Sequence, residues 1–284
     1  MRHLALLAVF VNALTPACGS SNKPPATTTT TSPPETNVPA STGPLSEEEF
    51  KALHTAPTEN KAQLHGEQID LAGTKAYLSL PAGKGPFPAI IVIHEWWGLN
   101  DNIKHWADRL ATTGYAALAV DLYGGVVATT PDEAMKAVKA VEPPKALAVI
   151  KSAFDFLGSD PRVMATKRAV IGWCFGGAYS LQAALAIPQL DGAIIYYGQL
   201  ETDPEKLKAI KARVLGIFGT RDKGIPPETV AKFEAGLKQA GVRAEIHSYD
   251  ADHAFANPSN AKYDEKSAAD AWNHVLAFLS SLKS

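Results

Sequence analysis

Short apolar runs rich in β-branched residues recur along this chain from residue 63 onward. Longer stretches with apolar residues at helical spacing stand between them. Residues 63–71 and 75–80 read as two early strands joined by the turn Ala72-Gly73-Thr74. The run 87–93 is apolar throughout and reads as a central strand buried on both faces. Further strands are expected over 115–120, 168–172, 192–197, 214–218 and 244–249. Helices are expected over 101–113, 131–141, 144–157, 178–187, 227–240 and 261–282. In 101–113, Ile103, Trp106, Ala107, Leu110 and Ala111 fall on one side, and Gly241 stops the helix that precedes it. Ahead of all these, Ser46 and Glu49 form a capping box that opens a short helix ending at Leu53 or His54. Alternation of this kind predicts an α/β fold, with a mostly parallel sheet, helices on both faces and an antiparallel start. No internal repeat is present.

The N-terminal pattern differs. Met1-Arg2-His3 is a short basic start, and residues 4–14 are apolar except Asn12. Small residues follow through Cys18. This is the layout of a secretory signal, too short for a comfortable membrane span. Ala17-Cys18-Gly19 resembles the end of a bacterial lipoprotein signal, where Cys18 would be lipidated. Thr15 stands where leucine is usual, so plain cleavage is the other option. Residues 19–45 are rich in threonine, proline and serine, lack a hydrophobic period, and read as a disordered tether. The globular domain is expected over 46–284. The expected location is outside the cytoplasm, periplasmic or anchored to a membrane by the N-terminal lipid alone.

Composition narrows the chemistry. With 284 residues and 46% hydrophobic content the chain can bury one large core, and a net charge of −2 gives no basic field for nucleic acid. The two cysteines are Cys18 and Cys174. If processing consumes Cys18, Cys174 is a lone thiol in an exported protein, which points to reactivity or deep burial.

Cys174 stands in Gly172-Trp173-Cys174-Phe175-Gly176, between a predicted strand and a predicted helix. This is the nucleophile-elbow pattern with cysteine in place of the commoner serine. A sharp strand-to-helix turn strains the nucleophile's backbone and admits only small neighbours. It aims the partial positive charge of the helix N-terminus at the sulfur. A structural cysteine in a glycine-rich turn is the plainer alternative. Polar residues just after the other strands lie at the same sheet edge, where an open α/β sheet binds its ligand. They are His94-Glu95-Trp96-Trp97, Asp121-Leu122-Tyr123, Thr220-Arg221-Asp222 and Asp250-Ala251-Asp252-His253. Cys174, Asp222 and His253 follow the order nucleophile, acid, histidine. Asp250 and Asp252 compete for the acid role but sit close in sequence to His253. Glu95 reads either as a carboxylate beside the elbow, as a solvated loop acid, or as a partner of Arg221 or His94. Backbone N–H groups of Phe175 and Trp96 are the expected oxyanion donors. Trp97, Tyr123, Trp173 and Phe255 are candidates for an aromatic pocket, each with core as the alternative. No His-Glu-x-x-His or paired-cysteine spacing appears, so neither a metal nor another cofactor is expected.

With these residues in place, the chain from about residue 63 resembles the dienelactone hydrolase family of α/β-hydrolases. The likeness rests on His94 to Asn100, Asp121 to Gly124, Gly172 to Gly177, Gly219 to Asp222 and His253 to Phe255. It implies hydrolysis of an ester or lactone through an acyl-enzyme, with Cys174 as nucleophile, Asp222 as acid and His253 as base. It further implies that Glu95 contacts the resting thiol and helps form the thiolate when substrate binds. The family's two carboxylate-binding arginines fall here on Gly125 and Asn257, so the reaction class carries over and the charged substrate does not. The expected partner is a small ester or lactone; the oligomeric state stays open. A non-catalytic binding module that keeps the fold is the competing reading.

Overall fold

The computed structural model describes residues 45–55 and 63–283. Residues 1–18 with Cys18, and all of the expected tether except Leu45, lie outside them. In chain order the elements are α1 (Glu47–Thr55), β1 (Glu67–Leu71), β2 (Thr74–Ser79), β3 (Ala89–Ile93), α2 (Asp101–Thr112), β4 (Ala116–Val120), α3 (Pro131–Ala140) and α4 (Pro143–Ser159). The second half continues with β5 (Arg168–Trp173), α5 (Phe175–Ala186), β6 (Gly192–Tyr196), α6 (Pro204–Leu207), β7 (Arg213–Gly219), α7 (Pro227–Gln239), β8 (Ala244–Tyr249) and α8 (Glu265–Ser281). The strands form one sheet of order β1-β2-β4-β3-β5-β6-β7-β8. β1 and β2 pair as a hairpin, β2 runs antiparallel to β4, and β3 to β8 are mutually parallel.

Every residue of β3 and β4 is buried because helices cover both faces, which is why these strands read as unbroken apolar runs. Alternate side chains go to opposite layers. Ile91 and Ile93 belong to one core layer with Ile150, Phe154 and Leu157 of α4, Leu181 of α5 and Phe233 of α7. Ile90 and Val92 pack with Phe50 of α1, Trp106 and Leu110 of α2, and Trp272, Val275 and Phe278 of α8.

This second layer takes two residues expected in the pocket. Trp173 ends β5 on the α2/α8 side, is 1% exposed, and lies against Trp106 and Tyr196 with ring centroids 4.7 and 5.5 Å away. Phe255 is fully buried against Tyr197 and Tyr249. Both are core residues. Strand alternation turns Trp173 away from the edge where its neighbour Cys174 sits.

Element ends differ from the sequence reading for local reasons. β1 starts at Glu67 and not at 63, because the preceding backbone is bonded to side chains. His65 N–H donates to the buried Asp108 carboxylate at 3.0 Å, and Gly66 N–H donates to the Tyr77 hydroxyl. Asp108 also accepts from Tyr77 and Ser79, at 2.8 and 2.6 Å. α8 starts at Glu265, capped by Asp264, which accepts the Ser267 N–H at 2.8 Å. The Ser46–Glu49 capping box closes in both directions, at 2.9 and 3.2 Å. Among the described residues no helix is long and apolar enough to cross a membrane.

Candidate active site

β5 passes into α5 within one residue. Cys174 holds φ 55° and ψ −114° and its N–H donates to the Tyr196 carbonyl at 3.0 Å. A side chain at positive φ is strained and persists only where surrounding packing enforces it. Glycines allow that packing here. A Cβ on Gly172 would lie 2.2 Å from the Gly176 carbonyl oxygen, and one on Gly176 would lie 2.3 Å from that of Ile93. The start of α5 is thereby pressed against the end of β3, next to the loop that carries Glu95 and Trp96. Phe175 opens α5, so its N–H has no acceptor within the helix. The sequence reading started this helix three residues later, at Ala178.

Asp222 and His253 come from the loops after β7 and β8. The two loops are joined by Arg221 N–H on the Ala251 carbonyl at 3.0 Å. His253 Nδ1 lies 2.6 Å from Asp222 Oδ2 and donates to it, since a carboxylate only accepts. Asp222 Oδ1 takes the N–H groups of Gly224 and Ile225, at 2.8 and 3.1 Å. Burial opposes charge on this carboxyl, but those bonds outweigh it and hold Asp222 below the usual carboxylate range. The His253 ring also interacts with the Cys174 side chain. Burial works against its cation, and the side chains of Asp222 and Cys174 override that, raising it to about 10. Asp250 and Asp252 are engaged otherwise: Arg221 reaches them at 2.8 and 3.3 Å.

Glu95 is neither a solvated loop acid nor a partner of Arg221 or of the His94 ring. It is 8% exposed, and its Oε2 accepts from Asn257 Nδ2 at 2.5 Å. Burial pushes its carboxyl up to about 7, against the opposing effects of Asn257 and the charge of His253. Asn257 is itself 9% exposed, and its other amide atom accepts the Ser259 N–H at 2.9 Å. His94 has a separate task. Its Nδ1 donates to the Glu95 carbonyl at 2.6 Å and its Nε2 accepts the Leu122 N–H at 3.1 Å. Burial lowers it to about 4, so it stays neutral and pins the loop after β3 to the loop after β4.

Asp121 folds that second loop by accepting the N–H groups of Tyr123, at 2.8 Å, and of Gly125. Tyr123 packs against His94 and Phe175, with centroids 4.5 and 5.2 Å away, and so stands beside the elbow. Trp97 and Trp96 are half-buried, 4.9 Å apart. Tyr197 was not among the expected site residues. It follows β6 at φ 36°, is fully buried, and lies 5.0 Å from the His253 ring. The sequence pattern puts Tyr197 inside the strand 192–197, and β6 ends one residue sooner, at Tyr196; the role of Asn257 in holding Glu95 had no local signal. A cleft of about 700 Å³ lies elsewhere. Arg213, Glu234, Lys238 and Arg243 line it at the amino-terminal ends of β7 and β8, the edge opposite the elbow. Among the described residues no group of three His, Cys, Asp or Glu side chains is arranged to hold a metal ion.

A doubly covered parallel sheet with an elbow after β5, and a carboxylate and a histidine following later in the chain, defines an α/β-hydrolase. A model described as the dienelactone hydrolase family matches residues 74–282. Protein usf of Aquifex pyrophilus is 33% identical over 213 residues, 72% of this chain and 91% of its own. A Methylorubrum extorquens protein named "Putative carboxymethylenebutenolidase" is 30% identical over 215 residues, 70% of this chain and 74% of its own. Among solved structures, the dienelactone hydrolase-like promiscuous phosphotriesterase P91 from metagenomic libraries superposes with a TM-score of 0.70. It is 27% identical and the match covers 76% of this chain and 98% of that one. The chain belongs to the dienelactone hydrolase family. It is accordingly a hydrolase, and the non-catalytic alternative falls away.

The His253–Asp222 contact has a measurable consequence. A histidine raised on folding contributes stability that is fully present below its unfolded value, about 6.5, and is lost as pH rises towards the folded value of about 10. Asp222→Asn removes the charged partner, so the His253 resonances should titrate at lower pH in an NMR series, and the stability loss should move down with them. An unchanged titration in Asp222→Asn, with a shift in Asp250→Asn or Asp252→Asn, would assign the partner elsewhere.

Proposed function

We propose that this chain is an exported enzyme that cleaves carboxylic esters or lactones through an acyl-enzyme on Cys174. The observation that carries the reading is the His253–Asp222 hydrogen bond, on an imidazole whose cation the Cys174 side chain also favours, with Cys174 at the strained start of α5. His253 takes the thiol proton as Sγ attacks the carbonyl carbon. The carbonyl π pair moves onto oxygen, where the N–H groups of Phe175 and Trp96 receive it. As the C–O bond breaks, His253 returns the proton to the leaving alkoxide. Water, deprotonated by the same imidazole, then releases the acid. Asp222 fixes the tautomer with Nδ1 protonated and stabilises the imidazolium that forms. Glu95 is a further carboxylate at this site, held by Asn257 and titrating near neutrality.

The relative named for carboxymethylenebutenolidase activity supports lactone or ester chemistry. Export is argued from the basic start, the apolar run of residues 4–14 and the small residues before Cys18, with lipidation at Cys18 as the anchor. Expressed in a bacterium as the full chain, the protein should partition with membranes, and Cys18→Ser should release it; recovery of both in the cytosol would remove the export reading.

Cys174→Ala should abolish ester turnover with the fold intact, since alanine fits the turn. Asp222→Asn should lower turnover by roughly 10³ to 10⁴. Steady-state rates on an aryl ester, with circular dichroism on each variant, check both, and wild-type turnover in Cys174→Ala would sink the mechanism.

The site also bears on substrate charge. Gly125 has no side chain and Asn257 is committed to Glu95, so neither offers a cation to a substrate carboxylate. Losing one charge-assisted hydrogen bond costs about 1.5–3 kcal/mol, roughly tenfold or more in affinity. A lactone methyl ester should therefore show a higher kcat/KM than its free carboxylate. A clear preference for the carboxylate would mean that another cation, such as Lys104 or Arg221, serves the site.

A further inference from the structure

Tyr123 carries a hydroxyl that the proposed mechanism does not use. The oxygen is buried and has no hydrogen-bond partner among the described residues. A buried hydroxyl left unpaired is costly, so such groups in a native site call for an explanation. The ring beneath it is firmly held. It meets His94 edge-on at 4.5 Å and Phe175 at 5.2 Å. His94 is bonded on both nitrogens, and Phe175 is the residue directly after Cys174. The backbone is fixed as well, by Tyr123 N–H on Asp121. Gly98 leaves room for the ring, since a Cβ there would lie 3.3 Å from Tyr123 Cδ2. The ring contact with Phe175, the residue directly after Cys174, places Tyr123 beside the elbow, and Cys174 and Tyr179 are near enough to act on its hydroxyl electrostatically.

We propose that the Tyr123 hydroxyl is a catalytic hydrogen-bond donor to the substrate, meeting the oxygen that becomes negative when Cys174 attacks an ester or lactone carbonyl. This rests on the reading of Cys174 as nucleophile. The step moves no proton from tyrosine. Sγ bonds to the carbonyl carbon, the π pair goes to oxygen, and the O–H of Tyr123 points at that oxygen beside the N–H groups of Phe175 and Trp96. Collapse of the adduct returns the pair and expels the alkoxide, which takes its proton from His253. Burial, with Cys174 and Tyr179 adding to it, raises the phenol well above its ordinary value, so it donates without ionising. A donor with no partner of its own is free to bond only when charge develops, which favours the transition state over the bound ester.

Tyr123→Phe keeps the ring and removes only the oxygen. On a neutral aryl ester, kcat should fall on the order of 10- to 100-fold with KM within about twofold. Inhibition by a trifluoromethyl ketone, whose tetrahedral adduct carries the same negative oxygen, should weaken by the same factor as kcat/KM. Alkylation of Cys174 by iodoacetamide has no such oxygen, and its rate should stay within about twofold of wild type. Wild-type kcat in Tyr123→Phe overturns the proposal, as does a change confined to KM. An equal fall in alkylation would show that the hydroxyl acts on the thiol and not on the substrate, and also overturns it. If alkylation of Cys174 leaves wild-type turnover intact, the nucleophile reading itself has failed, which is a separate result.

Discussion

The backbone at Cys174 is the constraint on which the site depends. A residue with a side chain held at φ 55° is strained, and the contacts at Gly172 and Gly176 leave no volume for a relaxed alternative. The same tight packing sets the neighbouring parts of the site. It brings the first N–H of α5 out of the helix, and it presses the loop bearing Glu95 and Trp96 against the helix start. Two more side-chain-bearing residues at positive φ, Tyr197 and Ala254, flank the elbow and the histidine. Strain collects here because three loops must converge on one sulfur, and the sheet beneath them is rigid enough to impose it.

Two carboxylates serve this edge under opposite conditions. Asp222 has three donors and stays charged in spite of its burial. Glu95 has one donor, Asn257, and burial brings it close to neutrality in pH. Environments that push two acids apart in this way allow one to remain a permanent counter-ion while the other changes state during a reaction. In the proposed mechanism that assigns Asp222 to the imidazole and leaves Glu95 free to respond to the thiol and the substrate. His94, by contrast, is kept neutral and fully bonded, so its position in the motif serves the architecture of the loops.

The family relationship and the departures from it fit together physically. The sheet, the elbow and the two following loops are backbone devices, which many combinations of side chains can satisfy. Recognition of the substrate depends on single side chains at loop ends. At Asn257 the side chain has turned inward and binds the enzyme's own carboxylate. An amide carries no positive charge, so it cannot pair with a ligand carboxylate as a guanidinium fork would.

The fold class, the order of the strands and of every helix but the single-turn α6, and the elbow were legible in the sequence because they rest on local rules. Apolar runs mark strands buried on both faces, glycines mark the close approaches at 172 and 176, and a caps signature such as Ser46–Glu49 fixes a helix start. Loop residues just past each strand pointed to Cys174, Asp222, His253 and Glu95, since strand ends share one edge whatever the details of packing. Side-chain direction was not legible in that way. Trp173 and Phe255 are as aromatic as Tyr123 and as near the motif, yet alternation along β5 and the turn after His253 send them into the core. The pairing of Asn257 with Glu95 and the place of Tyr197 beside His253 both join residues far apart in the chain. Only the tertiary structure decides such contacts, because a hydrogen bond depends on where two loops meet and not on the spacing within either.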